Sequence, residues 1–308
     1  MNWWYALMLG PMLPDPATDT ATDVDTHALD GLARFVERHS RILVLTGAGI
    51  STASGIPDYR DRDGVRRGAQ PVQGPEFRKH EAVRRRYWAR SMVGYPTLAR
   101  AEPNAGHAAL AVLQAHGAIG PLMTQNVDGL HQRAGSSEVL ELHGSIHSVV
   151  CLDCYASFSR AFVQALLAEA NPALAGAVAS PAPDGDAHLE PDALAQFHPP
   201  SCIHCGGTLK PDVVFFGDGV PPERTRQALE RMDNADALLV IGSSLVVYSG
   251  FRFCRLAEAS AKPIAAINLG VTRADALIAL KLEASAEQAL PRLLARLGLA
   301  PGGAAHAC

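Results

Sequence analysis

The sequence predicts an α/β fold: a Rossmann-like doubly wound parallel sheet with a smaller domain inserted into it. Three observations predict it. Four short apolar runs each end in a polar or glycine turn, helical apolar patterns separate them, and this alternation breaks around two Cys-x-x-Cys pairs. At 308 residues and 48% hydrophobic, the chain can bury one large core or two modest ones, which excludes a disordered polymer. Twenty-seven Lys and Arg against 31 Asp and Glu give −4, with no long single-sign run, so nucleic acid is not an expected partner. No apolar stretch approaches the ~20 residues of a membrane span. A cytoplasmic protein acting as a monomer is expected.

Residues 1–25 read as a flexible lead-in, rich in Pro, Asp, Thr and Ala. The apolar stretch Trp3 to Leu9 reads as a dispensable tail or a short signal peptide. From Thr26, Leu29, Leu32, Phe35 and Val36 recur at helical spacing, with Asp25 or Thr26 available as cap. The strand candidates are Ile42–Leu45, Ile119–Met123, Ala237–Ile241 and Ile264–Ile267, with a shorter run at Val139–Leu142. Helical patterns cover Asn104 to His116, Pro222 to Met232 and Phe251 to Ser260. The sheet domain is therefore expected over 26–143 and 211–298, with a helical segment at about 62–100 contributing to the small domain. The insert is expected over 144–210, including an Ala- and Pro-rich loop from Asn171 to Pro200, and a flexible tail over 299–308. No internal repeat is visible.

Ligands of such sheets bind at the carboxyl ends of the strands, where the four turns would gather. The first turn, Thr46-Gly47-Ala48-Gly49-Ile50-Ser51, lets backbone N–H groups approach a pyrophosphate closely. A tight structural turn explains two glycines as well. The third glycine of the dehydrogenase fingerprint is replaced by Thr52, and no acidic residue lies about 20 positions on to hold a ribose. The chain instead runs through Gly55-Ile56-Pro57-Asp58-Tyr59-Arg60 into a polar loop suited to covering a ligand. Hydride transfer is disfavoured.

Cys151-Leu152-Asp153-Cys154 and Cys202-Ile203-His204-Cys205 are two knuckles 47 residues apart. Each spacing suits two thiolates on one tetrahedral ion, so the pairs predict a zinc ribbon; disulfide and redox roles are the alternatives. Four thiolates leave no open position for water, so this zinc is structural. Cys254 reads as core and Cys308 as tail.

His143 follows a short apolar run and precedes Gly144, an open place for an imidazole whose ordinary pKa suits a general base. A structural hydrogen-bonding role is open for it, as for His107, His131 and His147.

Taken together, these segments resemble the sirtuin family of NAD-dependent protein deacylases. They are Gly47 to Ser51, Gly55 to Arg60, Gln125-Asn126-Val127-Asp128, Leu142-His143-Gly144, both cysteine pairs, Lys210 to Asp218, Gly242-Ser243-Ser244 and Asn268-Leu269-Gly270, in family order over about 26–298. The resemblance implies oxidised NAD as a consumed co-substrate, one structural zinc, and an acyl-lysine peptide entering between the domains. The acyl oxygen would attack the ribose as nicotinamide departs. Nicotinamide, free lysine and O-acyl-ADP-ribose would result. It implies that His143 takes a ribose hydroxyl proton and that Asn126, with Asp128, orients the nicotinamide half. Gly47, Ala48, Gly49, Ile50, Ser51 and Arg60 would hold phosphates and ribose, and Ser243, Ser244, Asn268, Leu269, Gly270 and Ala286 the adenosine half. Val213, Val214, Phe215 and Phe216 are expected to form an apolar strand that pairs with the peptide.

Details look most like the class II branch: Arg86-Tyr87-Trp88-Ala89-Arg90, Ala182 to Asp186, Tyr248-Ser249-Gly250 where many relatives carry Pro-Ala, and Tyr59 in place of a common phenylalanine. Residues 78–90 carry six basic side chains against Glu81, which ordinarily marks a solvated helix face. Tyr87 and Arg90 share a face, however, and look like the pair with which some sirtuins read acidic acyl chains. Longer or carboxylated acyl groups are therefore expected. Two other readings compete. One is a mono-ADP-ribosyltransferase using the same site, and the other a non-catalytic NAD-sensing zinc ribbon, to which Asp184, Asp186, Glu190 and Asp192 give an unsuitably acidic insert.

Overall fold

A computed structural model describes residues 24–66, 71–177, 194 and 196–299. In chain order the elements begin with α1 (Thr26–Arg38), β1 (Ile42–Thr46), α2 (Gly74–Lys79), α3 (Glu81–Arg100), α4 (Ala105–Ala115), β2 (Leu122–Thr124), α5 (Leu130–Arg133) and β3 (Leu140–Glu141). It continues with β4 (Gly144–Cys151), β5 (Ser157–Ser159), α6 (Arg160–Ala170), β6 (Leu209–Val213), α7 (Pro222–Asn234), β7 (Ala237–Ile241), α8 (Tyr248–Ala259), β8 (Ile264–Ile267), β9 (Leu280–Leu282) and α9 (Ala286–Arg296).

Six strands form one parallel sheet in the order β3-β2-β1-β7-β8-β9. Counted along that sheet's own strands, this is the doubly wound order, whose direction reverses between β1 and β7. Successive side chains of β1 point to opposite faces. Ile42 and Val44 pack with Leu29, Leu32, Phe35, Leu110, Leu113, Leu290 and Leu293 of α1, α4 and α9. Leu43 and Leu45 pack with Ala228, Met232, Phe253 and Ala257 of α7 and α8. Burial on both faces is why the strands read as unbroken apolar runs.

Caps explain where two helices begin. Asp25 Oδ1 accepts the His27 and Ala28 N–H groups at α1, and Asn104 with His107 forms a reciprocal box at α4. Of the expected flexible ends, Val24 is buried in the core and Leu299 packs against it. Trp3 to Leu9, Cys308 and the acidic insert positions Asp184, Asp186, Glu190 and Asp192, with Ala182 and Pro183, lie outside the described residues.

Several boundaries differ from the sequence reading. The second strand starts at Leu122, not Ile119, because Pro121 has no N–H for the ladder and serves it only through its carbonyl, which accepts from Val44. Val213 to Phe216 is not itself a strand. The strand is β6, which runs through Lys210-Pro211-Asp212 and ends at Val213. Beyond it, Val214 N–H donates to His143 O, and Phe216 meets Gln73 in an isolated bridge. Its polar residues hid β6 from a search for apolar runs.

β6 pairs with β4, and β4 with β5, in a small antiparallel sheet. Its core joins two stretches of chain: Phe77, Tyr87, Trp88 and Met92 of α2 and α3 pack with Val149, Val163, Leu167, Leu209 and Phe215. Trp88 Nε1–H donates to Leu209 O, and Arg160, fully buried, lays its guanidinium over the Tyr95 ring at 4.3 Å and donates to Ser91. Burial lowers the Arg160 pKa to about 10.

Candidate active site and metal centre

The carboxyl ends of the parallel strands surround a cavity of about 760 Å³, within the range of small-molecule sites. β1 delivers Gly47, Ala48, Gly49 and Ser51; β2 delivers Gln125, Asn126, Val127 and Asp128; β3 delivers His143. From β7 come Gly242, Ser243 and Ser244, from β8 Asn268 and Leu269, and Ala286 opens α9 after β9. Ile56, Asp58, Tyr59 and Arg60 form another wall, with Val213, Val214, Phe215, Phe216 and Tyr87.

Five expected residues are not on the wall. Ile50 is fully buried in the core, Gly55 ends a 3-10 turn in the left-handed region, Gly270 has φ +79 close against the Arg62 backbone, and Pro57 lies outside the lining. Arg90 is half-buried, engaged with other groups, and outside the lining.

The glycines of the first turn, which line the cavity, also make a close packing contact. A Cβ on Gly47 would stand 2.7 Å from Ser243 Cβ, and one on Gly49 2.9 Å from Gly242 Cα. Gly242 itself has φ +60, and its Cβ would lie 2.5 Å from Ile50 N. These glycines let two turns touch where the strands diverge. Gly47 N–H donates to Ile241 O and Gly49 N–H to Gly242 O, so these two donors serve the fold.

Beneath the cavity the polar groups are cross-linked. Ser51 Oγ donates to Asp128 Oδ2 at 2.7 Å, and Asn126 Nδ2 donates to Gly47 O and Ser51 Oγ. Gln125 Nε2 donates to Ser243 Oγ at 2.8 Å. Arg60 donates to Gly64 O within its own loop, and Arg62 O accepts from Val271, tying that loop to the turn after β8. Side chains with few rotatable bonds, each already bonded, present a fixed surface to a ligand. Tyr59 packs edge-on to Phe216 at 6.5 Å.

His143 is held at both nitrogens. Gln125 O lies 2.9 Å from Nδ1 and Ser249 Oγ 2.7 Å from Nε2. A carbonyl can only accept, so Nδ1 carries the proton and Nε2 is the basic atom. Burial pushes this imidazole down to about 4, and the Arg252 and Arg224 charges lower it further while the Gln125 bond opposes them. It is neutral near pH 7. Ser249 and Arg252 both line the cavity and were missed as site residues. The only sequence signal was Tyr248-Ser249-Gly250, read there as a lineage mark. Three further histidines make bonds within the fold: His131 Nε2 meets Thr46 Oγ1, His107 caps α4, and His147 bridges Asp128 O and Tyr95.

The four cysteines lie with their Sγ atoms within 4.8 Å of one another. Cys151 to Cys205 measures 3.6 Å and Cys154 to Cys202 3.7 Å. Tetrahedral Zn–S bonds of ≈ 2.3 Å require edges of about 3.8 Å, so the two measured edges match a four-thiolate zinc site. Asp153 ties the two knuckles, its carboxylate accepting Thr208 N–H at 2.7 Å. Cys254 stays apart in the core, where burial pushes its thiol up to about 12. Replacing Cys202 by Ser removes one of four ligands. Metal analysis should then fall from one zinc per chain towards none, with the melting temperature lower by about 5 °C or more.

Burial also depresses His107 and His131, the latter further lowered by its neighbour His107. Above the ordinary 6.5, none of the three imidazoles is charged in either state. As pH falls below it, the unfolded chain takes up protons that the fold refuses. Stability should therefore decline from about pH 6.5 to about pH 4, by up to about 1.4 kcal/mol per pH unit for each histidine. Urea denaturation across that range measures it, and a flat profile contradicts it.

Residues 47–249 match the Sir2 family. An NAD-dependent protein deacetylase of Xanthomonas axonopodis pv. citri is 52% identical over 269 residues, covering 87% of this chain and 92% of that protein. NAD-dependent protein deacetylase 3 of Pseudomonas syringae pv. tomato is 52% identical, covering 87% and 96%. Among solved structures, a Sir2 complex with p53 peptide and NAD+ is 28% identical with a TM-score of 0.68, covering 88% and 98%. A Sir2 variant with deacetylated p53 peptide and 3'-O-acetyl-ADP-ribose gives 27% and 0.71, covering 88% and 99%. With the doubly wound sheet, the strand-end cavity and the four-cysteine cluster, these likenesses place the chain in the Sir2 family.

Proposed function

We propose that this protein is an NAD-dependent protein lysine deacylase, transferring the acyl group of acyl-lysine to ADP-ribose. The observation that carries this reading is His143. A neutral imidazole with a defined basic nitrogen stands in the same cavity as the strand-end turns suited to a dinucleotide. Bound NAD supplies the electrophilic ribose carbon and nicotinamide as leaving group, and is consumed.

The protein's own groups supply position and proton transfer. Ser51, Asn126 and Asp128 form one bonded unit beside the glycine turn, suited to fixing the nicotinamide half. Ser243, Ser244, Asn268, Leu269 and Ala286 stand where the adenosine half would lie. His143 Nε2 accepts the proton of a ribose hydroxyl, with Gln125 O holding the ring. The Val213 to Phe216 segment adjoins His143 through the Val214 bond and offers backbone to an extended peptide. Purified protein with NAD and acetyl-lysine peptide should release nicotinamide and O-acetyl-ADP-ribose, and His143→Ala should slow this about 10² to 10⁴-fold. An ADP-ribose adduct on protein without that soluble product would favour the transferase reading instead.

The class II details support a preference for longer or carboxylated acyl groups. Tyr87 lines the cavity, and Arg90 stands one turn further along α3. If Arg90 grips a carboxylate when substrate enters, Arg90→Met should lower the glutaryl-to-acetyl turnover ratio about tenfold or more. An unchanged ratio rejects this assignment. No described helix is long and apolar enough to cross a membrane; a monomer working in the cytoplasm is part of this proposal.

A further inference from the structure

Ser249 is the second residue of α8 and half-buried on the cavity wall. Its Oγ stands 2.7 Å from His143 Nε2. Because Gln125 O fixes the proton on Nδ1, the serine hydroxyl is the donor in this bond. A hydroxyl donating to an imidazole, which in turn donates to a fixed acceptor, is the arrangement that activates serine as a nucleophile. Here the acceptor is a backbone carbonyl in place of a carboxylate.

Two further features suit acyl chemistry. Arg252 lies three residues on, on the same face of α8, and also lines the cavity. Its Nε is buried without a hydrogen-bond partner, and one terminal nitrogen makes only a 3.4 Å contact with Thr225 Oγ1. A guanidinium on the cavity wall can stabilise the negative charge that develops on a carbonyl oxygen. The charged groups that act on His143 are Arg252 and Arg224, and Arg224 is itself paired with Asp212 at 2.7 Å.

We propose that Ser249 and His143 form a second nucleophile–base pair, which cleaves acyl esters of a nucleotide ribose through an acyl-serine. The proposal rests on the deacylase reading in one respect: that reaction forms such an ester in the same cavity. The steps balance without any other reagent than water. The Ser249 hydroxyl proton passes to His143 Nε2 as Oγ bonds to the acyl carbon. The ester C–O bond breaks, and the ribose oxygen leaves with the proton returned from Nε2. Water then gives a proton to Nε2 and attacks the acyl-serine, releasing a carboxylic acid and restoring the hydroxyl. Bound NAD competes for Nε2 through its ribose hydroxyl, so the two reactions alternate at one base.

The test uses the full chain without NAD. O-Acetyl-ADP-ribose is the ester probe, and an aryl sulfonyl fluoride is the serine trap, with the adduct located by peptide mass spectrometry. The expected results are acetate release at least about tenfold above that of Ser249→Ala, and a sulfonyl adduct on Ser249 that His143→Gln suppresses. Absence of the adduct, or equal acetate release by parent and Ser249→Ala, overturns the proposal. The adduct on the parent protein decides the matter even if a variant folds poorly. Nicotinamide release from NAD and acetyl-lysine peptide by the same preparation reports separately on the deacylase reading. Its presence without an adduct sinks the ester pair alone, and an adduct without nicotinamide release sinks the deacylase reading alone.

Discussion

The contact between two turns, Gly47–Gly49 after β1 and Gly242–Ser243 after β7, is the constraint on which the site depends. The two strands are neighbours in full register, from Ile42 beside Ala237 to Thr46 beside Ile241. The chain then leaves them in different directions, which opens the crevice. Backbone has to touch backbone at its root, and the Gly49 N–H bond to Gly242 O at 2.8 Å seals it. A methyl group at any of Gly47, Gly49 or Gly242 would force the turns apart, because the atoms it meets include fixed backbone. The short side chains of Ser51, Asn126 and Ser243 are placed by this contact, since each is bonded to a turn or to its immediate neighbour.

A polar cavity floor requires partners for most groups beneath it, although His131 Nδ1 and His107 Nε2 are buried without one. Thr46 Oγ1 meets both Thr124 Oγ1 and His131 Nε2, Asp128 accepts from Ser51 and Leu130, and Asn104 reaches Ile50 O. The ends of β1 and β2 are thereby joined to each other, and the turn after β1 to the start of α4. The zinc module acts from the other side: its core includes Tyr87 and Phe215, two residues of the cavity wall. A zinc ion held by Cys151, Cys154, Cys202 and Cys205 would tie the end of β4 to the segment leading into β6 and so would act on the wall through packing.

Much of this was legible in the sequence because it depends on local pattern. Ala237–Ile241 and Ile264–Ile267 are strands at their expected bounds, since burial on both faces leaves no polar residue to blur them. The cysteine cluster was legible from spacing, as two knuckles determine most of their own geometry. β6 was not, because Lys210-Pro211-Asp212 breaks the apolar pattern while the backbone still pairs with β4. β9 has only three residues and gives no periodic signal. Ser249 and Arg252 could not be found by motif, since their relation to His143 spans more than a hundred positions and appears only when the start of α8 meets the segment after β3. The two roles offered for the glycines could not be separated without knowing where their missing side chains would have pointed.

The neutral state of His143 sets a further requirement on any reaction that uses it. A base held at about 4 in the free cavity is a weak one, and taking a proton there places a third positive charge beside Arg252 and Arg224. That charge becomes tolerable when the cavity receives an anionic ligand, because each opposite charge nearby favours the imidazolium. A dinucleotide diphosphate brings such charge, whereas a neutral peptide does not. The same electrostatics therefore make His143 a stronger base in the loaded protein than in the empty one. Gln125 O holds the ring with Nε2 as its basic atom, so an anionic ligand would act on His143 through its proton affinity.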